Sequence, residues 1–196
     1  MRNLAIETTL IISISILVYI FEPQASQLLA YYHNAITHFE YWRFISATFC
    51  HTNFNHLGLN LIGLLITLGL FIDTFKEVKV LPLLLFNSLF IGLCLFLLEP
   101  TVTGYVGLSG VLHGLFSYGV ISDIKNKDRW GYLLGTGFVI KIFYEQIFGA
   151  QQSTIDLIAA PVLVNAHLYG AIAGLIYYFL LAAINRKRQP KLPLNG

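Results

Sequence analysis

A serine flanked by glycines has the setting of a catalytic nucleophile. Ser109 lies in Gly107-Leu108-Ser109-Gly110, at the start of a short, glycine-rich apolar stretch. Glycine lets a backbone approach a substrate closely, and the free N–H groups of a helix start can accept a developing negative charge. A serine at a helix start is also a common N-cap, which stabilises a helix by about 1 kcal/mol. Nucleophilic attack and helix capping are both open for Ser109.

His167 is the candidate base, because ionisable residues inside apolar stretches are rare and are functional candidates by default. Small residues four apart allow helices to pack closely, and such pairs follow both residues: Gly110 and Gly114, and Gly170 and Gly174. We expect the two helices to touch there and bring His167 to Ser109, where a neutral imidazole could take the hydroxyl proton. The alternative for His167 is a hydrogen bond to a backbone carbonyl.

His51, His56 and Asn60 form a third polar group. His56 and Asn60 are four apart, which puts them on one face of a helix. Both can donate hydrogen bonds, as stabilisation of an oxyanion requires. Polar packing between helices is the alternative reading.

The stretches around these residues are too apolar for an ordinary soluble domain. Hydrophobic residues make up 56% and charged residues 11% of the 196 residues, whereas soluble domains carry about 25% charged residues. A bilayer-spanning helix needs about 20 mostly apolar residues. The sequence predicts an all-α membrane protein, a single domain over 1–196, with six transmembrane helices at about 5–22, 54–72, 79–98, 107–122, 130–149 and 162–184.

The basic residues predict the orientation. Of the 12 Lys and Arg residues, all except Arg43 and Lys141 lie at the N-terminus, in the second-to-third and fourth-to-fifth connections, or in the tail. The positive-inside rule therefore places both termini in the cytoplasm, and the basic residues are topology signals with no nucleic-acid partner implied. Cleavage of the first stretch near Ala25 as a signal peptide would instead leave five spans.

Acidic residues near the outer ends of the fourth and sixth spans are absent from the sequence. The sequence therefore predicts a Ser109–His167 dyad, and Asp156 is assigned to loop solvation. Lys141 and Glu145 are four apart and assigned near the middle of the fifth span. An ion pair across a cavity, a bias on helix opening, contact with a substrate and a transporter's ion pathway are all open for them.

Two segments flank the predicted bundle. The connection 23–53 is long and aromatic, so we predict short helices at the membrane interface. The basic, proline-containing tail 185–196 is predicted to be disordered or bound to anionic lipid. Cys50 and Cys94 indicate apolar packing and no disulfide framework.

Together these motifs resemble the rhomboid family of intramembrane serine proteases over about residues 42–174. The similar motifs are Trp42-Arg43 in the first loop, His51, His56 and Asn60 as His-x4-His-x3-Asn, Gly107 to Gly110 as Gly-x-Ser-Gly, and Ala166-His167-x2-Gly170-x3-Gly174. The resemblance implies a six-helix bundle with a water-filled cavity open to the outside and a mobile fifth helix as a lateral gate. It implies no cofactor and no metal.

The resemblance also implies roles for these residues. Ser109 would be the nucleophile, His167 the general base, and His56, Asn60, Gly107 and the Ser109 amide the oxyanion site, with His51 and Arg43 as auxiliary residues. One position departs from the family pattern, since the residue one turn after Ser109 is often Tyr and is His113 here. His113 could stack on the catalytic histidine as Tyr does, or it could add a second titrating imidazole.

Gly107 to Gly114 looks most like the rhombosortase branch, whose members are bacterial. That resemblance implies single-pass membrane protein substrates with a C-terminal Gly-Gly, apolar helix and basic tail. It also implies a bacterial inner membrane, with the site open to the periplasm.

Three other functional classes compete with an active serine protease. The main alternative is a catalytically inactive rhomboid-like protein that binds membrane helices, although such relatives lack the Ser or the His. A metalloprotease that uses His33, His38, His51 and His56 would be expected to contain His-Glu-x-x-His, which is absent. An aspartyl intramembrane protease would need two membrane Asp residues, and the predicted spans contain none.

Overall fold

Helices dominate the fold, because helical apolar segments satisfy their backbone hydrogen bonds internally. The computed structural model describes residues 2–188. Its elements are α1 Arg2–Ile20, α2 Gln24–Leu29, β1 Tyr31–Tyr32, α3 His33–Thr37, α4 Arg43–Ser46, a 3-10 turn Ala47–Phe49, α5 Phe54–Leu70, α6 Ile72–Glu77, α7 Val80–Leu98, β2 Gly104–Tyr105, α8 Ser109–Lys125, α9 Arg129–Phe148, α10 Gln152–Ile158 and α11 Val164–Arg188.

Six helices within residues 2–188 have 17 or more residues, namely α1, α5, α7, α8, α9 and α11. Each overlaps one of the six predicted stretches. The clearest shift is at α11, which continues to Arg188 and so turns the first part of the predicted tail into helix. The rest of that tail, 189–196, lies outside the described residues.

Three of these helices are long and apolar enough to cross a membrane: Asn3–Ile20, Val80–Leu98 and Val164–Arg186. A fourth candidate is a broken span, in which Arg43–Phe49 meets Phe54–Leu70 at an angle of 96°. Helices α5 and α8 have 17 residues each, short of the roughly 20 that a bilayer needs. The predicted helical protein with apolar spans is confirmed, whereas the count of six spans stays a prediction.

The long helices alternate in direction, and two contacts illustrate this. Glu7 accepts a hydrogen bond from the Val80 amide at 2.6 Å, so the start of α1 lies beside the start of α7. The Asn165 amide donates to Glu99 at 2.5 Å, so the end of α7 lies beside the start of α11. The α8 and α11 helices, which carry the candidate nucleophile and base, therefore both begin at the end of the bundle where α7 finishes.

A small β-pair joins the long 23–53 connection to the segment before α8. The strands are antiparallel, with Tyr31 opposite Tyr105 and Tyr32 opposite Gly104. Short helices in 23–53 match the prediction, but the strand pair was not predicted, because two-residue strands leave no periodic signal. Tyr31 is fully buried, so the pairing anchors this connection to the residues that lead into Ser109.

Glycines bring α8 and α11 into backbone contact, as predicted. A Cβ atom on Gly170 would collide with the Gly110 carbonyl oxygen, and one on Gly174 would collide with the Gly114 carbonyl oxygen. The Ser117 hydroxyl adds a hydrogen bond to the Ala171 carbonyl at 2.8 Å. This close contact fixes the register between the two helices.

Candidate active site

Ser109 and His167 meet at the start of their two helices. Ser109 is the first residue of α8 and His167 lies in the first turn of α11. The Ser109 Oγ atom is 3.1 Å from His167 Nε2. The helix contact expected from the glycine pairs thus places a hydroxyl within hydrogen-bond distance of an imidazole.

Glu145 lies on the other side of the same imidazole, and the sequence analysis missed this contact. His167 Nδ1 is 3.0 Å from Glu145 Oε2. Because an ionised carboxylate only accepts hydrogen bonds, Nδ1–H donates, and Nε2 is left with the lone pair that accepts the Ser109 hydroxyl. The structure thus places a carboxylate next to the two residues of the predicted dyad.

The depth of Glu145 explains the error. Glu145 was assigned near mid-membrane, but α9 ends at Phe148, so the carboxylate lies in the last turn. That turn is level with the starts of α8 and α11. The available signal was the short distance of Glu145 from the outer end of the predicted 130–149 stretch.

Lys141 and His113 extend this arrangement. Lys141 Nζ is 2.7 Å from Glu145 Oε1 and 2.8 Å from His113 Nε2. His113 Nδ1 is in turn 2.7 Å from the Ser109 carbonyl oxygen, so Nδ1–H donates and Nε2 accepts from the ammonium. The hydrogen bonds form a closed ring that begins and ends at Ser109, through His167, Glu145, Lys141 and His113.

His113 stacks on the candidate base, as one of its two predicted alternatives requires. The His113 and His167 ring centroids are 4.1 Å apart with planes inclined by 12°. Phe138 is a further ring beside His113, at 5.8 Å between centroids. His113 thus fills the place expected for Tyr in the family pattern.

His113, Glu145 and His167 are the one group in the described chain whose geometry suits a metal ion. Each offers one ligand atom, and these three atoms lie within 4.8 Å of one another. The lone pairs are already engaged, however, by the Ser109 hydroxyl and the Lys141 ammonium. A cation would have to displace Lys141, so the donor set fits an ammonium better than a metal.

Ser109 and His167 line a cavity of about 780 Å³ that also includes His51, His56 and Asn60. The Asn60 side chain is only 3% exposed, and its Nδ2 group has no hydrogen-bond partner among the described residues. A buried donor without a partner is costly. Asn60 therefore brings an N–H group without a partner in the described residues to the cavity that Ser109 and His167 also line.

The tautomer of His56 decides whether it can also donate. Its Nδ1 atom is 3.1 Å from the Thr52 hydroxyl oxygen and 3.4 Å from the Thr52 amide nitrogen. The Thr52 hydroxyl itself donates to the Ile158 carbonyl at 2.6 Å. Its oxygen is thus free to accept from Nδ1–H, which would leave Nε2 as an acceptor. His56 donates from Nε2 only when Nδ1 accepts from the Thr52 amide.

His51 is an acceptor toward the cavity. Its Nδ1 atom lies 3.1 Å from the Phe49 carbonyl oxygen, so Nδ1–H donates there. Burial lowers the pKa of His51 to about 3, so the ring is neutral and Nε2 carries a lone pair. Nε2 of His51 is therefore placed to accept a hydrogen bond.

Gly107, which is predicted to belong to the oxyanion site, has its amide engaged elsewhere. The Gly107 N–H donates to the Ala47 carbonyl at 3.0 Å. The residue has φ +111°, which L side chains rarely adopt, and a Cβ atom would lie 2.6 Å from His56 Nε2. Gly107 thus shapes the turn before α8, whereas the amide of Ser109, at the helix start, precedes the helical hydrogen-bond pattern.

Arg43 holds the loop scaffold and does not line the cavity within the described residues. Its guanidinium donates to the carbonyls of Ala30 at 2.7 Å and Gln27 at 2.8 Å and pairs with Glu40 at 2.6 Å. The side chain is almost fully buried. Arg43 therefore ties three segments of the 23–53 connection together.

Comparison with known proteins identifies the family of this chain. Residues 38–184 match the family described as "Rhomboid domain". The chain is 30% identical over 171 residues to "Rhomboid-like protein 11, chloroplastic" of Arabidopsis thaliana. The aligned region covers 83% of this chain and 59% of that relative. The chain thus spans 59% of the relative's length. It is an integral membrane protein, and it belongs to the rhomboid family.

Proposed function

We propose that this protein is an intramembrane serine endopeptidase in which Ser109 is the nucleophile and His167 the general base. The observation that carries the proposal is the 3.1 Å contact between Ser109 Oγ and His167 Nε2, beside a cavity of about 780 Å³. A nucleophile within hydrogen-bond distance of a base that a third group orients is the recognised signature of covalent catalysis.

The reaction follows from the positions of the protons. Ser109 Oγ attacks the substrate's carbonyl carbon while its proton passes to His167 Nε2. The imidazolium then protonates the departing amine, which leaves an acyl-enzyme. A water molecule, deprotonated by His167, attacks the acyl carbon, and the proton returns to Ser109 as the product acid departs.

The oxyanion of each tetrahedral intermediate needs fixed donors. Asn60 Nδ2 is the best supported, because it is buried and has no partner in the described part of the chain. The backbone N–H of Ser109, at the start of α8, is the second donor. His56 adds a third in the tautomer that leaves a proton on Nε2.

The substrate class is a membrane protein cut in or near a single transmembrane helix. Carbonyls in an intact helix are engaged in hydrogen bonds, so the cut segment should be poor in helix formers, for example rich in glycine. The similarity of Gly107 to Gly114 to rhombosortases favours substrates with a C-terminal Gly-Gly, apolar helix and basic tail.

The proposed setting is a bacterial inner membrane. Six helices would span it, with both termini in the cytoplasm, the cavity open to the periplasm and α9 as the lateral gate. The charge distribution along the sequence supports this orientation.

Co-expression with a Gly-Gly-tailed membrane substrate tests the activity. The wild-type protein should shorten the substrate, whereas Ser109→Ala and His167→Ala should leave it at full length while still inserting. A fluorophosphonate probe applied to purified protein should label the wild type at Ser109, independently of substrate choice. Cleavage by purified Ser109→Ala would refute the nucleophile. Retention of an intact substrate by both forms, without labelling, would favour an inactive helix-binding relative.

A further inference from the structure

We propose that Glu145 is the positioning residue for His167, so that the site works as a Ser109–His167–Glu145 triad held by Lys141. This inference rests on the proposed protease function and extends it to a residue outside the cavity lining. Glu145 acts through the imidazole and does not touch the substrate.

The direction of every hydrogen bond in the ring is fixed by its neighbours. The carboxylate can only accept, so His167 Nδ1–H donates to Oε2 at 3.0 Å. Of the two neutral tautomers of His167, that bond selects the one in which Nε2 is a base toward Ser109. Without a fixed acceptor at Nδ1, the ring could present Nε2–H to Ser109 and could not remove the hydroxyl proton.

An ordinary ion pair on the α9 surface does not account for this geometry. Lys141 and Glu145 are four apart on a helix, where such pairs are common, but that pairing needs only Oε1. The second oxygen reaches across to α11 and bonds His167. The Glu145 side chain is 14% exposed and that of His167 is 7% exposed, so both are sheltered from water. Hydrogen bonds to a charged group are stronger in such a sheltered place than in water.

Lys141 makes the carboxylate acceptable at this depth. A charge removed from water must be paired, and the ammonium neutralises Glu145 while its own side chain stays 46% exposed. Its second contact, to His113 Nε2 at 2.8 Å, holds the ring that stacks on His167. The titratable groups that contact His167 are thus Glu145 from α9 and His113 from α8, and Lys141 of α9 is bonded to both of them.

Glu145→Gln is the direct test, because glutamine keeps the shape but has a single acceptor oxygen. The Lys141 ammonium, which can only donate, should claim that oxygen and leave the amide NH2 facing His167 Nδ1. Nδ1 must then accept, and the proton moves to Nε2. We expect kcat for the Gly-Gly-tailed substrate to fall by about a hundredfold or more, as expected when the catalytic histidine is held in the wrong tautomer. KM should stay unchanged.

Removal of Lys141 as well should partly reverse that loss. In Lys141→Met/Glu145→Gln the amide oxygen is free to turn toward His167 Nδ1–H, so kcat should rise at least about tenfold above Glu145→Gln. Lys141→Met alone keeps the carboxylate on His167 and should lose less than about tenfold. Such non-additivity is expected only of residues that share one network, and damage to the packing of α9 would instead make the double variant worse.

Glu7→Gln is the matched control, since Glu7 is also half-buried and hydrogen-bonded between two helices, at the other end of the bundle. It should retain wild-type kcat. Thermal unfolding of each purified variant checks that it is folded.

If wild type cleaves, Ser109→Ala does not, and Glu145→Gln matches wild type, the triad is wrong and the protease proposal stands. If a folded Glu145→Gln is impaired and the double variant is no better, the tautomer argument is wrong. Absence of both cleavage and fluorophosphonate labelling in the wild type would overturn the protease proposal itself.

Discussion

Three histidines at or next to the candidate site share one arrangement. His51, His113 and His167 each donate from Nδ1 to a fixed acceptor, which is the Phe49 carbonyl, the Ser109 carbonyl and the Glu145 carboxylate respectively. In each neutral ring Nε2 is then an acceptor. Only His167 has a hydroxyl at that nitrogen, so its partner at Nε2 distinguishes the candidate base from the other two rings. Oxyanion donation is then left mainly to Asn60 and the Ser109 amide.

Asn60→Ala tests this division of labour. Removal of the one buried side-chain N–H that has no partner in the described chain should lower kcat by roughly ten- to a thousandfold, the usual range for an oxyanion donor, with little change in KM. Asn87→Ala is the matched control, because Asn87 is equally buried but lies against Gly114 and outside the cavity lining. Turnover by Asn60→Ala equal to that of Asn87→Ala would remove Asn60 from the oxyanion site.

At the level of elements, the α8–α11 contact aligns the nucleophile with the base. The carbonyls of Gly110 and Gly114 occupy the space where Cβ atoms of Gly170 and Gly174 would stand. Because α8 and α11 begin at the same end, this contact sets Ser109 and His167 at one height. Helix α9 contributes differently, since most of its side chains are exposed. Its hydrogen bonds to α11 join Glu145 to His167 and the Gln146 side chain to the Val164 carbonyl.

Gly170→Ala should therefore damage folding before it damages chemistry. The added methyl group would force the Gly110 backbone away from α11, and such overpacking typically costs 1–3 kcal/mol, which should appear as a lower Tm and as loss of activity. Gly137→Ala in α9 is the control, because nothing lies within 4 Å of the added Cβ. An unchanged Tm for Gly170→Ala would contradict the close helix contact.

At the level of the whole molecule, the bundle alternates helix directions and collects the candidate site at one end. The cavity lies where α8 and α11 begin, and Thr52 and α10 meet beside it through the 2.6 Å bond to the Ile158 carbonyl. The basic connections at Lys76 and Lys79 and at Lys125 to Arg129 lie at the opposite end, where α7 and α9 begin. This segregation of charge is what the predicted orientation requires.

Reporter fusions at Lys127 and Asp156 test the orientation. These residues flank α9, and if that helix spans the membrane the reporter at Lys127 should be cytoplasmic and the one at Asp156 external. The same side for both would overturn the six-span model. A fusion after Asn3 serves as the reference, because the prediction places it with Lys127.

The sequence by itself determined the helical membrane class, the approximate bounds of the long helices and the pairing of Ser109 with His167. These follow from local composition and from short spacings, such as glycines four apart, which act along one helix. The sequence did not reveal the contact of Glu145 with His167, the β-pair at Tyr31 and Tyr105, or the hydrogen bond from the Gly107 amide to the Ala47 carbonyl. Each of those depends on which segment meets which across the bundle, and on the depth at which a helix ends. Only the tertiary structure decides those relations, because a residue's neighbours on other helices leave no period or spacing in the chain.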